Sequence, residues 1–473
     1  MISSALYQEL VPDARSFKRT EGDPPKTSLW KSRLETGAFL KLSPSALEHP
    51  ELISTYKGTI EKLLFAFPKF ALAEPESVAA YKSVISALRV GTKFVIVHHP
   101  DGKSVIKNWF TSAGHDLANV TFVELPDYVM FTDWAEDAYV SLIDSGSGIH
   151  YLMEPWEFKR AGDALIADAI EENTDTVASQ APLIFQGGNC LVTDMHWLLG
   201  KDYFADSIET VQGPRPPVSI PEGEDVSNFV KRLFKDYVDE RRELIVVGTD
   251  KPIPIAAMRG TEQQGAYFLD LPSGGAGTFQ PIFHIDMFLT PFSPDTNGRP
   301  RFLVGDPTLA DQILGTSSPF SLPDIYDKIA VDLMAAGFAV TRNPLVHRAA
   351  TGRSFTIKQL SEIAAKPGNE DLVAAIKELR VAGATASDEV TIREWHHITW
   401  NNCLVEASAT EGDHVYLPTF GHGANVDLEA IDSHMKHLWE GFGFTTHMLG
   451  DFNSFAERQG VVHCIKKYLR RSK

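Results

Sequence analysis

A helix followed by a short β-rich run returns along the chain from residue 78 onward, and that recurrence confines the fold to a layered α/β arrangement. Val78, Tyr81, Ile85 and Leu88 mark the first helix, which precedes Phe94-Val95-Ile96-Val97. A second helix, roughly 157–171 with Ala164, Leu165 and Ala169 inward, precedes Leu183-Ile184-Phe185 across a polar linker. In the third, Val226, Phe229, Val230, Leu233, Phe234, Tyr237 and Val238 keep i, i+3, i+4 spacing and lead into Leu244-Ile245-Val246-Val247. The fourth passes through Ile325, Ile329 and Leu333 to Gly337 as C-terminal cap, then Phe338-Ala339-Val340. The fifth has Asp427 as N-cap, an apolar face of Leu428, Ile431, Met435, Leu438 and Phe442, and then Gly443 and Phe444-Thr445-Thr446. Units starting near 78, 157, 226, 323 and 428 are unevenly spaced, so periodicity suggests a fivefold repeat without requiring one.

Of the 473 residues 43% are hydrophobic and 22% charged, the balance of a soluble protein able to bury a large core. The 44 basic residues stand against 62 acidic ones; a net charge of −18 argues against nucleic acid or an anionic membrane as partner and suits a cationic substrate. Cys190, Cys403 and Cys464 are too scattered for a disulfide framework or a zinc site, so a reducing, cytoplasmic setting is expected. Met1 to Thr20 has no apolar leader, which fits that expectation. Residues 1–70 carry no motif and read as an N-terminal extension packed on a domain of 71–473, within which 345–390 reads as a polar loop.

Polar side chains inside apolar runs single out the chemistry. Read as a strand, Phe283 to Leu289 puts His284 and Asp286 on one face and Phe283, Ile285 and Met287 on the other. Asp137 in Asp133-Trp134-Ala135-Glu136-Asp137, and Cys464 in Gly460-Val461-Val462-His463-Cys464, are similarly placed. A thiol, an imidazole and two carboxylates suit attack on a planar cation. Each has a plainer reading: Cys464 as a buried thiol, Asp137 as a turn cap with Asp133 the better capping residue, His284 and Asp286 as satisfied core polars. Cys190 and Cys403 read as core, and His463 as structural on the face opposite Cys464.

The motifs fall at like places after successive units: Asp133 to Asp137, Gln186-Gly187-Gly188-Asn189, His284-Ile285-Asp286, Asn401 to Glu406, and His463-Cys464. Strand ends converging on one axis would explain that order. Trp134-Ala135-Glu136-Asp137, Gly187-Gly188-Asn189, His284-Ile285-Asp286 and Val462-His463-Cys464 resemble, in order, the motifs of the guanidine-modifying superfamily, which includes agmatine, arginine and peptidylarginine deiminases. The resemblance implies an α/β pentein propeller of five ββαβ units around a pseudo-fivefold axis. It implies Cys464 as nucleophile, His284 as general acid and base, and Asp137 and Asp286 holding the guanidinium, with Trp134, Gly188 and Asn189 lining the substrate pocket and no metal or cofactor. The implied reaction hydrolyses the guanidino group of a small molecule or peptide to a ureido group and ammonia; an amidinotransferase or a non-catalytic binding protein of the same fold are the alternatives. The chain departs from agmatine deiminases, which show W-x-R-D-x-G-P at Trp134 to Val140 and a glycine-rich run at Ala456 to Gly460. Arg259, Arg348 and Arg393 are candidates for a substrate carboxylate.

Overall fold

The computed structural model describes Leu6, Leu10 and residues 47–160, 162–254, 256–272 and 279–472. Its strands in chain order are β1 (Pro50–Leu52), β2 (Ile60–Phe67), β3 (Lys93–His98), β4 (Val120–Glu124), β5 (Val140–Asp144), β6 (His150–Glu154) and β7 (Thr176–Gln180). Then come β8 (Cys190–Val192), β9 (His196–Gly200), β10 (Glu243–Val247), β11 (Arg259–Gln263), β12 (Ala266–Leu271), β13 (Leu289–Phe292) and β14 (Arg301–Asp306). The last are β15 (Ala339–Thr356), β16 (Glu389–Thr399), β17 (Leu404–Ser408), β18 (Gly412–Thr419), β19 (Thr445–Asp451) and β20 (Lys466–Arg471). They form five sheets in a mixed α/β fold.

One connection recurs in all five sheets: an antiparallel strand pair whose second strand runs through a helix into a parallel third strand. The antiparallel pairs β5–β6, β8–β9, β13–β14 and β17–β18 are followed by the parallel pairs β6–β7, β9–β10, β14–β15 and β18–β19. The remaining sheet joins the two ends of the chain, β20 pairing antiparallel with β2 and β2 parallel with β3. Parallel neighbours need a crossover, and helices such as Pro75–Ala87, Val226–Tyr237 and Glu429–Gly441 supply it. Val226–Tyr237 begins where Asp225 accepts the Asn228 N–H, and it buries Phe229, Val230, Leu233, Phe234 and Tyr237. Pro323–Ala335 ends before Gly337, whose φ of 92° is the left-handed stop its sequence predicts.

Several expectations need correction. The second helix is Ile166–Asn173 and its strand is Thr176–Gln180; Leu183 and Phe185 are buried but lie in no strand, so an apolar run was mistaken for a ladder. Asp427 does not cap the fifth helix, which runs out of a 3-10 turn over Gly423–Leu428; its carboxylate instead holds Arg348 at 2.9 Å. Residues 345–390 are not a loop. The strand β15 continues to Thr356, where a capping box with Gln359 starts the helix Ile357–Ala364; the helix Glu370–Val381 and β16 follow. These elements, with β11 and β12, carry a core of their own that includes Leu6 and Leu10. The boundary at residue 70 cuts through a sheet, since β2 lies between β20 and β3 and β1 pairs with β5. The rest of residues 1–46 lies outside the described residues.

Arg471 fastens the closing sheet. Its buried guanidinium donates to the carbonyls of Thr55 (2.7 Å), Tyr56 (3.1 Å), Gly58 (3.0 Å) and Val405 (2.8 Å), tying β20 to the chain between β1 and β2 and to β17. Arg471→Ala strips donors from all four carbonyls, and urea unfolding should show a loss on the order of 3–5 kcal/mol. A loss below about 1 kcal/mol would mean that these bonds do not hold the sheet closed.

Candidate active site

Each candidate side chain sits in a loop that runs into the first strand of an antiparallel pair: Asp137 before β5, Gly188 before β8, His284 and Asp286 before β13, and Cys464 before β20. A fifth loop, through Asn401 and Asn402, precedes β17. Irregular backbone must find hydrogen-bond partners outside the ladders, and these loops find them in one another. Gly187 N–H donates to Asp137 O (3.3 Å), Ile285 N–H to Asn189 Oδ1 (2.9 Å), Thr290 Oγ1 to Asn401 O (2.7 Å) and His463 N–H to Asn402 Oδ1 (2.9 Å). Glu136 N–H donates to Cys464 O at 3.1 Å, which closes the cycle.

His284 and Asp286 do meet, but not by strand alternation. His284 is extended, Ile285–Met287 is a single 3-10 turn, and β13 starts only at Leu289. Both side chains crowd Gly188, where a Cβ would lie 2.5 Å from His284 Nδ1 and 3.2 Å from Asp286 Oδ2. Glycine is needed there because the backbone itself approaches both groups. At Gly187 a Cβ would fall 2.0 Å from Glu136 O, for the same reason.

The groups are buried: exposure is 1% at His284 and Asp286, 3% at Cys464 and 5% at Asp137. Cys464 Sγ lies 3.7 Å from Asp286 Oδ2 and 3.2 Å from Asn402 Nδ2. His284 Nε2 is 2.8 Å from Gln186 Oε1, which needs the proton on that nitrogen, and Nδ1 is 3.8 Å from Asp137 Oδ1. His463 differs from its expected face. Residues 462–465 form a turn, not a strand, and His463 Nδ1 lies 2.8 Å from Asp286 Oδ2.

Other placements also differ from expectation. Asn189 engages both ends of its amide, with Gln280 and with Ile285 N–H, so its side chain braces the His284–Asp286 turn. The Trp134 ring packs against Gly460, where a Cβ would fall 2.3 Å from it, with the Arg458 guanidinium 5.2 Å above. Asp133 is no cap; it accepts from Arg458 (2.8 Å) and Tyr81 (3.2 Å) in the interior. Cys190 and Cys403 are buried, and burial pushes Cys190 up to about 12. Arg348 is bound to Asp427 and Arg393 to Asp270, so both are held elsewhere. The arginine at the site is Arg160, bonded to Asp137 Oδ2 at 2.7 Å and paired with Asp163 at 2.6 Å. Nothing local in the sequence marks Arg160. Gln186 and Asn402 stand beside motif residues and were readable as polar groups entering apolar strands.

Burial raises the Cys464 thiol well above its ordinary range, and the charges of Asp286 and Asp137 add to the rise. Burial also raises Asp137, against the pull of Arg160, and lowers His463, with Lys466 helping. Three carboxylate oxygens around the site have no hydrogen-bond partner among the described residues: Asp133 Oδ1, Asp137 Oδ1 and Asp286 Oδ1. Beneath the site Glu136 accepts from Lys466 (2.8 Å) and Lys467 (2.9 Å). Burial alone would raise Glu136, but the two ammonium groups hold it at about 2, while burial takes Lys466 down to about 8.

No family model matches the sequence, and no curated protein does. Among solved structures, a C. jejuni agmatine deiminase superposes with a TM-score of 0.51 at 12% identity, over 90% of this chain and 96% of that one. A putative agmatine deiminase reaches 0.49 at 13% identity over 89% and 95%, and a Streptomyces griseus inosamine-phosphate amidinotransferase 0.34 at 10% over 90% and 98%. The fold is therefore that of an agmatine deiminase, as the first of these superpositions shows. It is matched over nearly the full length of an agmatine deiminase, at an identity that speaks for the fold alone. Among the described residues no helix is long and apolar enough to cross a membrane.

The clamp of Glu136 with two lysines makes a pH prediction. A carboxylate held near 2 against an ordinary 4.5 contributes stability that is fully present above pH 4.5 and fades as the pH falls toward 2. Glu136→Gln should lower the unfolding free energy by on the order of 3 kcal/mol at neutral pH, the gap to wild type closing in acid. Denaturant titrations of both proteins at several pH values would measure it; a gap that does not change with pH would rule out the charge as its source.

Proposed function

We propose that the protein hydrolyses the guanidino group of an arginine-like small molecule or peptide, with the five sheets arranged as blades around an axis on which the five loops meet. The observation that carries this reading is the pair of unpartnered carboxylate oxygens, Asp137 Oδ1 and Asp286 Oδ1, beside a thiol and an imidazole. Buried acceptors of this kind call for donors, and a planar guanidinium supplies several at once. Asp137 already binds one guanidinium, that of Arg160, through its other oxygen. The shared fold supports the same chemistry.

In this reaction a bound cation reverses the field felt by the thiol. The two carboxylates that raise Cys464 are answered by the guanidinium, so the thiol ionises where the central carbon lies and its proton passes to His284. Sulfur adds to that carbon, and the tetrahedral adduct expels ammonia after His284 protonates the departing nitrogen. The S-alkylthiouronium left on Cys464 is then attacked by water that gives its proton to His284, releasing the ureido product and the thiol. Gln186 holds His284 by Nε2, and Asp286 braces His463. A cytoplasmic location follows from the cysteine usage and belongs to the same proposal.

Ammonia release measured with arginine, agmatine, methylated arginines and an arginine peptide tests the activity. Cys464→Ala should abolish it with the fold intact. In a Cys464→Ala background, Asp137→Asn or Asp286→Asn should weaken binding of the active compound about tenfold to a hundredfold by calorimetry, the worth of one charged hydrogen bond. His284→Ala should let a mass adduct accumulate on the Cys464 peptide, and turnover in oxygen-18 water should label the ureido product. Ammonia-free transfer to an added primary amine would replace the hydrolase with an amidinotransferase.

A further inference from the structure

One fully buried side chain other than the carboxylates touches the thiol. Asn402 Nδ2 lies 3.2 Å from Cys464 Sγ, while its Oδ1 accepts from the backbone N–H groups of His463 at 2.9 Å and Cys464 at 3.2 Å. Those two donors decide which way round the amide sits, because a flipped side chain would press its NH2 against both of them. The end that meets sulfur is therefore a donor. A thiolate accepts an N–H far more strongly than a thiol does, so the contact favours the ionised form. Asp286, the other side chain near the sulfur, presents a carboxylate oxygen at 3.7 Å and favours the neutral thiol. Asn402 thus works against the burial and the carboxylates that raise Cys464.

The loop that carries Asn402 is itself fixed. The Asn401 side chain is bonded to Asn343 (2.9 and 3.1 Å) and Thr290 (3.2 Å), and Asn401 O accepts from Thr290 Oγ1. Asn402 O takes a further long bond from His463 N–H, at 3.3 Å. Across the turn, Cys464 O is held by Glu136 N–H. The sulfur-bearing turn is gripped from both neighbouring loops, and on one side the grip is a single amide. We infer that Asn402 both aims the Cys464 sulfur and stabilises its thiolate, one end of the amide serving each task. Leucine would match its shape and do neither. Aspartate would keep the acceptor and put a second negative charge beside the sulfur.

This inference rests on Cys464 being the reactive group, but its test needs no turnover. Iodoacetamide alkylation of Cys464 is followed against pH in the substrate-free protein, with peptide mass spectrometry separating Cys464 from Cys190 and Cys403. In Asn402→Asp, which can still receive the two backbone N–H groups, alkylation near neutral pH should slow about tenfold to a hundredfold and its pH midpoint should rise. Asn402→Ala should shift in the same direction, and it carries the test if the aspartate variant does not fold, as judged by circular dichroism and the melting temperature. Profiles of the folded variants that overlay the wild type would overturn the assignment. A shifted profile in a protein that releases ammonia from no guanidino compound would leave Asn402 in this role and refute the hydrolase.

Discussion

The cycle of hydrogen bonds among the five pre-strand loops is the constraint on which the site depends. None of these loops has a regular ladder to satisfy its backbone where it meets the others, so each is held by the next. The cycle can close only because the chain itself closes: β20, which starts two residues after Cys464, must find β2 near the other end of the fold. A thiol carried at the end of the chain is thereby placed beside an aspartate that arrives from its middle. Arg471 secures that meeting with four carbonyls from two segments.

Charge burial is the second requirement, and it is met in layers. Below the loops Glu136 sits between Lys466 and Lys467; to the side Arg458 answers Asp133 under Trp134; at the outer rim Arg160, with 26% of its side chain exposed, bridges Asp137 and Asp163. Ion pairs in an apolar interior contribute little net stability, yet breaking one leaves a charge that costs several kcal/mol, on the order of 3–5. Such pairs hold position more than they add strength. They fix the loop backbones so that the carboxylates facing the thiol cannot swing away to solvate themselves.

Much of this was readable from residue order. Four of the five helices and their strands follow from apolar spacing, because residues such as Phe229, Leu233 and Phe234, or Ile431 and Met435, are core residues with no competing signal. The second unit was misplaced because Leu183 to Phe185 is as apolar as a strand and is buried without being one. The carboxylates, imidazole and thiol stand out in the sequence as polar groups in apolar runs, but strand alternation is not what puts His284 and Asp286 together. A 3-10 turn and a bare glycine opposite bring them together. His463 was assigned away from the site by the same alternation rule, which fails in a turn. Arg160 could not be read at all, since its link to Asp137 spans 23 residues and exists only in the folded chain.

The charge balance of the assembled loops bears on what the site is built to hold. Asp133, Glu136, Asp137, Asp163 and Asp286 face Arg160, Arg458, Lys466 and Lys467, and burial lowers His463. Five acidic side chains thus stand against four basic ones, and beside the thiol Asp137 Oδ1 and Asp286 Oδ1 have no hydrogen-bond partner among the described residues. In that field the thiol of Cys464 stays protonated, and adding a thiolate would bring a further negative charge into the same low-dielectric space. On the proposed reading, a monovalent planar cation between Asp137 and Asp286 would offset their field and make ionising the thiol less costly. An anionic or neutral ligand could not make that exchange. On the proposed reading, the same carboxylates that raise the thiol would couple its activation to the arrival of a guanidinium.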